Sequence, residues 1–339
     1  SNTLISTAPV LLNKEVNSIQ YLYILNTNKN YHNKNIKTFI CSNSKISYLV
    51  KVYTILLFCK KHNLTPICFG LSSLIYVLIT RLFFGYTTIY YFKRNSYNEV
   101  FGLRRYLYTN VLKLLSPEDL IVSISIGLNC ESDIKHLRSK KKYIHNGINC
   151  INKKFFPKNY TNNTQYYFVY IGRLEYQKNP LLLLEFSEIL VRMKFDFILD
   201  IYGDGTYYDS MLDLISKKNL SRYVKLHGWV DIYNDVEFNK YDLGFLTSKF
   251  EGFGISIVEI LNFSIPVISS NCQFGPSEII TDTSGFLFEE GNIQEFISKF
   301  LSWDSLSADS KNILRFNAFK RSLVFQKNKM INKYNIILK

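Results

Sequence analysis

The stretch FEGFGISIVE, residues 250–259, sets Glu251 and Glu259 around Gly252 and Gly254 at the start of an apolar run. Residues 242–248 (DLGFLTS) read as a strand and 255–263 as the helix after it. Glu251 then falls in the strand-to-helix loop, and Gly254, Ile255 and Ser256 open the helix. Backbone N–H groups there have no helical partner, and with the helix dipole they form a seat for a phosphate anion. The glycines let the backbone bend and approach a ligand closely. Glu259 sits about five residues into the helix, roughly 7 Å along its axis, comparable to the span from a diphosphate to a nucleotide ribose. Its carboxylate can accept both ribose hydroxyls, as acidic residues do in dinucleotide folds. Glu251, ahead of the helix, is expected to face the other way, towards a sugar on the far phosphate. The plainer alternative is a dipole-complementing Glu251 and a surface Glu259.

YIGRLEYQKNP (170–180) adds two cations. A predicted strand ends at Gly172, Arg173 follows, and Lys178 comes five residues later, just before a helix. Arginine offers a planar fork and lysine a point charge, and together they can neutralise a departing diphosphate. If both stretches leave strands of one parallel sheet, they open on the same edge, which favours a nucleotide-diphosphate site.

The elements needed to hold these residues are readable. From residue 166 onward, apolar runs at 167–171, 195–202, 224–226, 242–247, 266–270 and 285–288 alternate with amphipathic stretches at 180–193, 207–219 and 255–263. Runs without strict polar alternation fit strands buried on both faces, so the pattern predicts a parallel, doubly wound sheet. The first half reads the same way less clearly, with strands at 36–41, 66–69, 87–92 and 120–125. The polar stretch 149–164 reads as the boundary, and 317–338 as a helix. The expected architecture is α/β: a Rossmann-like domain over 1–155, a second over 156–317, and a C-terminal helix from about 318 to 339 packing back on the first. A ligand is expected at the strand ends, in a cleft between the two.

Charge divides along the chain. Residues 1–160 carry 22 Lys+Arg against 6 Asp+Glu, and the remainder 19 against 21, giving the net +14. A half this basic points to an anionic partner such as membrane lipid or a phosphorylated substrate. Nucleic acid ranks last, because no zinc-ligand spacing or other nucleic-acid signature is present. The six cysteines lack CxxC spacing, which predicts free thiols in a reducing compartment. No secretory leader pattern is visible. Residues 71–92 are the most apolar stretch, but Arg81 and Gly85 leave it far short of the ~20 residues a span needs; it reads as a buried helix feeding a buried strand.

The second half resembles glycosyltransferase family 4, whose members adopt the two-domain GT-B architecture. GRLEYQKNP is similar to that family's Gly-Arg…Lys segment, and EGFGISIVE to its glutamate–seven–glutamate motif. IYGDGTYYDSMLDLI (201–215) and LHGWVDI (226–232) fall in the family order between them, and NCQFGPSEII (271–280) resembles a subgroup that builds bacterial surface polysaccharides. The resemblance implies that Arg173 and Lys178 bind the donor diphosphate, Gly254, Ile255 and Ser256 give it N–H groups, Glu259 holds the ribose, Glu251 contacts the transferred sugar, and backbone near Val230 meets the base. His145, Asn146 and Gly147 resemble the family's Asn-Gly segment entering the interdomain region. Arg94 and Asn95 resemble the Arg-Asn form of polysaccharide-building members and are expected on the acceptor side. The chain opens SNTLISTAPVLLNKEV, without the apolar strand and Gly-Gly turn with which relatives begin.

The resemblance further implies a metal-independent, retaining transferase with no cofactor, moving a hexose or N-acetylhexosamine from a nucleotide-diphosphate sugar, UDP-sugar first among donors. The acceptor is a growing, lipid-linked surface glycan (lipopolysaccharide, capsule or similar), and the enzyme a cytoplasmic one in peripheral contact with the anionic inner face of the membrane. The alternatives are a catalytically silent partner subunit of the same architecture, or a nucleotide-sugar epimerase. Oligomeric state is left open.

Overall fold

The computed structural model describes residues 67–69, 74, 75, 78, 81, 90–93, 103–129, 132–149, 155, 157–160 and 165–338. The expected strand at 36–41, the opening stretch, and Arg94 and Asn95 lie outside these residues. So does most of 71–92, and no described helix is long and apolar enough to cross a membrane. The chain forms two units, Ser1–Asn146 with Asn328–Lys339, and Gly147–Lys327.

In the first unit, β1 (Ile67–Phe69), β2 (Tyr90–Lys93), β3 (Leu120–Ser123) and β4 (Lys140–Tyr143) form a sheet in that order. All the pairings are parallel. Helix α1 (Leu103–Leu112) and the short helices α2 (Ile126–Asn129) and α3 (Ser132–Lys135) connect the strands. β4 was not expected: its sequence KKKY has no apolar run, and it is a strand because it pairs along β3 at the end of the sheet, where outward lysines stay in water.

The second unit holds a six-stranded, wholly parallel sheet in the order β10-β9-β8-β5-β6-β7. Its strands are β5 (Tyr166–Ile171), β6 (Phe197–Tyr202), β7 (Val224–Gly228), β8 (Leu243–Leu246), β9 (Val267–Ser270) and β10 (Gly285–Phe288). The strands are connected through α4 (Leu181–Arg192), α5 (Tyr208–Lys217), α6 (Ile255–Asn262) and α7 (Pro276–Ile279), and α8 (Ile293–Asp304) follows β10. β8 and β9 are buried at every position, which is why neither shows the strict polar alternation of a half-exposed strand. One face of the sheet is covered by an aromatic cluster in which Phe296 stacks on Phe186 at 4.3 Å and on Phe288 at 4.6 Å. Because every strand runs the same way, the loops after β5, β6, β7, β8 and β9 all emerge at one edge.

The tail is not the single helix expected over 317–338. Helix α9 (Ala308–Ser322) gives way to a 3-10 turn at Leu323–Phe325 before α10 (Lys327–Leu338) begins. At the break Gln326 is extended and bridges Ile148, whose N–H donates to the Phe325 carbonyl and whose carbonyl accepts from the Lys327 N–H. A partner 178 residues away along the chain takes the backbone groups a continuous helix would use. No proline or glycine marks it. Helix α10 packs Met330 and Tyr334 against Leu120, Val122 and Ile144 of the first unit.

Candidate functional site

Two loops of the second unit are joined where β5 and β8 end. Lys178 closes a 3-10 turn, Tyr176–Lys178, and its ammonium forms an ion pair with the Glu251 carboxylate. Glu251 is buried, and the same oxygen accepts from the Ser248 hydroxyl at 2.7 Å. Gln177 clips the loops a second time: its side-chain amide donates to the Phe250 carbonyl at 2.9 Å, and its own carbonyl accepts from the Lys249 N–H at 2.8 Å. Thr247 adds a hydroxyl bond to the Lys178 carbonyl at 3.0 Å. Arg173 is exposed on the same loop, with its guanidinium on the Gln177 side-chain oxygen at 3.0 Å. The sequence placed the cations at this edge but gave no role to Gln177 or Ser248.

Gly254 takes a left-handed conformation (φ 89°) as it opens α6, and no side chain caps the helix. The hydroxyl of Ser256 is buried with no hydrogen-bond partner among the described residues. An uncapped amino end with an orphaned hydroxyl is a ready anion seat. The loop is braced from behind by Gly275 (φ 97°), whose position leaves no room for a Cβ, which would fall 2.1 Å from the Phe253 carbonyl oxygen.

Glu259 lies further along α6, half-buried. Its Oε1 accepts from the Tyr233 hydroxyl at 2.8 Å, while Oε2 has no partner among the described residues. Burial pushes its pKa up, against the lowering effects of the Tyr233 bond and the Lys178 charge. Tyr233 is a further residue that sequence reading missed. It is presented by a turn in which Asp231 accepts from the Tyr233 N–H and the Asn234 amide, an arrangement typical of Asp before a turn. Val230 begins that turn, beside Trp229, which is 78% exposed. Below it, His227 stacks on Tyr202 at 4.6 Å and bonds to buried Asp200 at 2.7 Å. Burial alone would raise the Asp200 pKa, but bonds from Lys240, His227 and Tyr241 bring it below the usual value.

Cys272 lies close enough to feel Glu251: burial first, then the Glu251 charge, pushes its thiol up to about 12. A thiol raised this far is a poor nucleophile at neutral pH. His145 belongs to the first unit, in ring contact with Tyr143, while Gly147 lies against the Lys327 backbone in the second. Among the described residues no His, Cys, Asp and Glu cluster is built to hold a metal.

Two parallel α/β sheets with this helix order make the GT-B fold of glycosyltransferases, and HepE of Anabaena, solved in complex with UDP and glucose, has the same fold at a TM-score of 0.70 (16% identity, covering 89% of this chain and 85% of that one). The model of the family described as glycosyl transferases group 1 matches residues 152–321, and the chain belongs to that family. It is similar to the poly(ribitol-phosphate) alpha-N-acetylglucosaminyltransferase of Staphylococcus aureus, with 31% identity over 45% of this chain and 31% of that protein. It is also similar to the lipopolysaccharide 1,6-galactosyltransferase of Escherichia coli, with 32% identity over 39% of this chain and 37% of that one. The chain spans about a third of the length of these curated relatives.

Proposed function

We propose that the chain is a family 4 glycosyltransferase that moves a hexose or N-acetylhexosamine from a nucleotide-diphosphate sugar, UDP-sugar first, to a growing, lipid-linked surface glycan. The observation that carries this reading is the buried Lys178–Glu251 pair beside the uncapped start of α6. In this reading the diphosphate draws Lys178 away from Glu251, and Arg173 and the N–H groups of Gly254, Ile255 and Ser256 share the load. Positive charge placed where the leaving group gains negative charge stabilises the transition state. Glu251, released from Lys178, accepts from hydroxyls of the transferred sugar. Glu259 takes the ribose on its open Oε2, and backbone at Val230 meets the base. The acceptor hydroxyl attacks the anomeric carbon on the face the diphosphate leaves, and a departing phosphate oxygen takes its proton, so configuration is retained without a metal. The second unit is the donor domain and the first the acceptor domain, with Arg94 and Asn95 on the acceptor side. The surface polymers named for the two bacterial relatives support the acceptor class, and the basic first half supports peripheral contact with the inner face of the membrane.

The reading is tested by thermal shift with UDP, GDP and their sugar derivatives. A ligand at 100 times its Kd stabilises by about 2.7 kcal/mol, and UDP-sugars are expected to do so. No shift with any nucleotide overturns the donor site; turnover of free UDP-sugar to an epimer without acceptor makes the chain an epimerase.

A pH dependence follows from Glu259. Its raised pKa means the half-buried carboxylate gains a proton at a higher pH than an exposed one. Ribose hydroxyls bond best to the ionised form. UDP affinity is therefore expected to rise with pH through the raised pKa, with proton release on binding in that window, and to level off above it. Tyr233→Phe removes a lowering bond, so the window moves to higher pH. Calorimetric titrations in buffers of different ionisation enthalpy measure both; a pH-independent affinity without proton release rules out Glu259 as the ribose ligand.

A further inference from the structure

The first unit carries an exposed patch made of residues outside the donor site proposed above. β4 closes its sheet with Lys140, Lys142 and Tyr143 exposed, and Tyr143 is 41% accessible. Lys141 points elsewhere, its ammonium on the Leu137 carbonyl at 2.6 Å. Helix α10 lies beside it with Met330 and Tyr334 turned inward. Lys329, Asn332, Lys333 and Ile336 then fall on its opposite face, at i, i+3, i+4 and i+7, and all four are exposed. Ile336 is 71% accessible. The two elements meet where the Lys333 ammonium sits over the Tyr143 ring at 5.8 Å. Neither element contains an Asp or Glu.

We infer that this β4–α10 face docks on an anionic lipid bilayer. The inference localises the membrane contact of the function proposed above and rests on that reading for its biological setting. Edge lysines also keep strands from pairing with other molecules, and that role alone would account for β4. It does not account for a second row of lysines on a helix, nor for an isoleucine and a tyrosine left in water among them. Cations around exposed apolar and aromatic tips fit a headgroup layer, where lysine heads meet lipid phosphates and the tips enter the acyl boundary. Each lysine near such a surface contributes about fivefold in partitioning, the equivalent of ~1 kcal/mol, within a Debye length of roughly 10 Å. Tyr106 on helix α1 and Leu114 in the turn just after it are exposed as well, and serve as the comparison surface.

The test is co-sedimentation of the full chain with phosphatidylcholine vesicles, with and without phosphatidylglycerol. Wild type is expected on the anionic vesicles only, with binding that falls steeply with salt. Lys140→Gln, Lys142→Gln and Lys333→Gln together are expected to lower the partition coefficient about a hundredfold. Ile336→Ser with Lys333→Gln changes the helix alone, so it cannot free a strand edge, and is expected to weaken binding at both low and high salt. The UDP-induced thermal shift is measured on every variant. An unchanged shift with lost vesicle binding supports the patch. A missing shift in wild type with patch-dependent vesicle binding refutes the donor reading and leaves the patch standing. Wild-type vesicle binding in both patch variants, loss of binding only in Leu114→Asp, or tighter binding to an oligonucleotide than to vesicles each overturns it.

Discussion

Lys178→Ala is expected to cost both stability and turnover, and Glu251→Gln on top of it to restore only the first. The Lys178 side chain is 13% exposed and that of Glu251 7%, so the pair is largely withdrawn from water. Removing one partner of such a pair leaves a buried charge uncompensated, a loss of about 3–5 kcal/mol. In the single variant Glu251 keeps only the Ser248 hydroxyl. Lys178→Ala/Glu251→Gln carries no uncompensated charge, and the neutral amide still accepts from Ser248, so most of the stability returns. Turnover does not return, since the diphosphate has lost its point charge and the sugar its carboxylate; the expected loss is about 100- to 1,000-fold in kcat. Denaturant unfolding of the four proteins in the cycle gives the coupling energy, and donor turnover gives the activity. Lys178→Ala with wild-type stability and wild-type turnover would remove the pair from both roles.

The same pair shows what the sequence displays and what it hides. Lys178 and Glu251 were legible because each lies in the loop that follows a strongly apolar run, and in a wholly parallel sheet the ends of β5 and β8 have to share an edge. The amino end of α6 was legible because Gly254 and the apolar periodicity after it mark a helix start. Gln177 was not: a glutamine between a tyrosine and a lysine has no local pattern, and its work is done with the backbone at residues 249 and 250. Tyr233 was hidden for the same reason, since its partner Glu259 is 26 residues away and only the folded turn at Asp231 aims the hydroxyl. β4 and the break between α9 and α10 failed differently. Each contradicts local propensity, lysines in a strand and a helical sequence that stops, and each is imposed by a backbone partner distant in sequence. Strands buried on both faces announce themselves, whereas elements defined by what lies beside them do not.

The closest backbone approach under the site gives the second large effect. At Gly203 (φ 151°), just after β6, a Cβ would lie 1.8 Å from the Gly172 carbonyl oxygen, an atom with no freedom to rotate away. Both glycines are held by backbone bonds, Gly203 N–H to the Gly228 carbonyl at 2.8 Å and Gly172 N–H to the Tyr202 carbonyl at 3.0 Å. Gly203→Ala must therefore prise the loop after β5 away from the loop after β6, and Arg173 moves with it. Gly228→Ala is the matched control: its φ of 70° also disfavours a side chain, yet a Cβ there meets nothing within 4 Å. Conformational strain alone costs of order 1–2 kcal/mol, and forced overpacking typically 1–3 kcal/mol more. Unfolding should place Gly228→Ala near the first figure and Gly203→Ala near the sum, about 2–5 kcal/mol. UDP affinity should fall substantially only in Gly203→Ala, because only there is the loop carrying the cations displaced. Equal stability losses in the two variants would mean that the loops part without resistance, and that the diphosphate edge is not held by this contact.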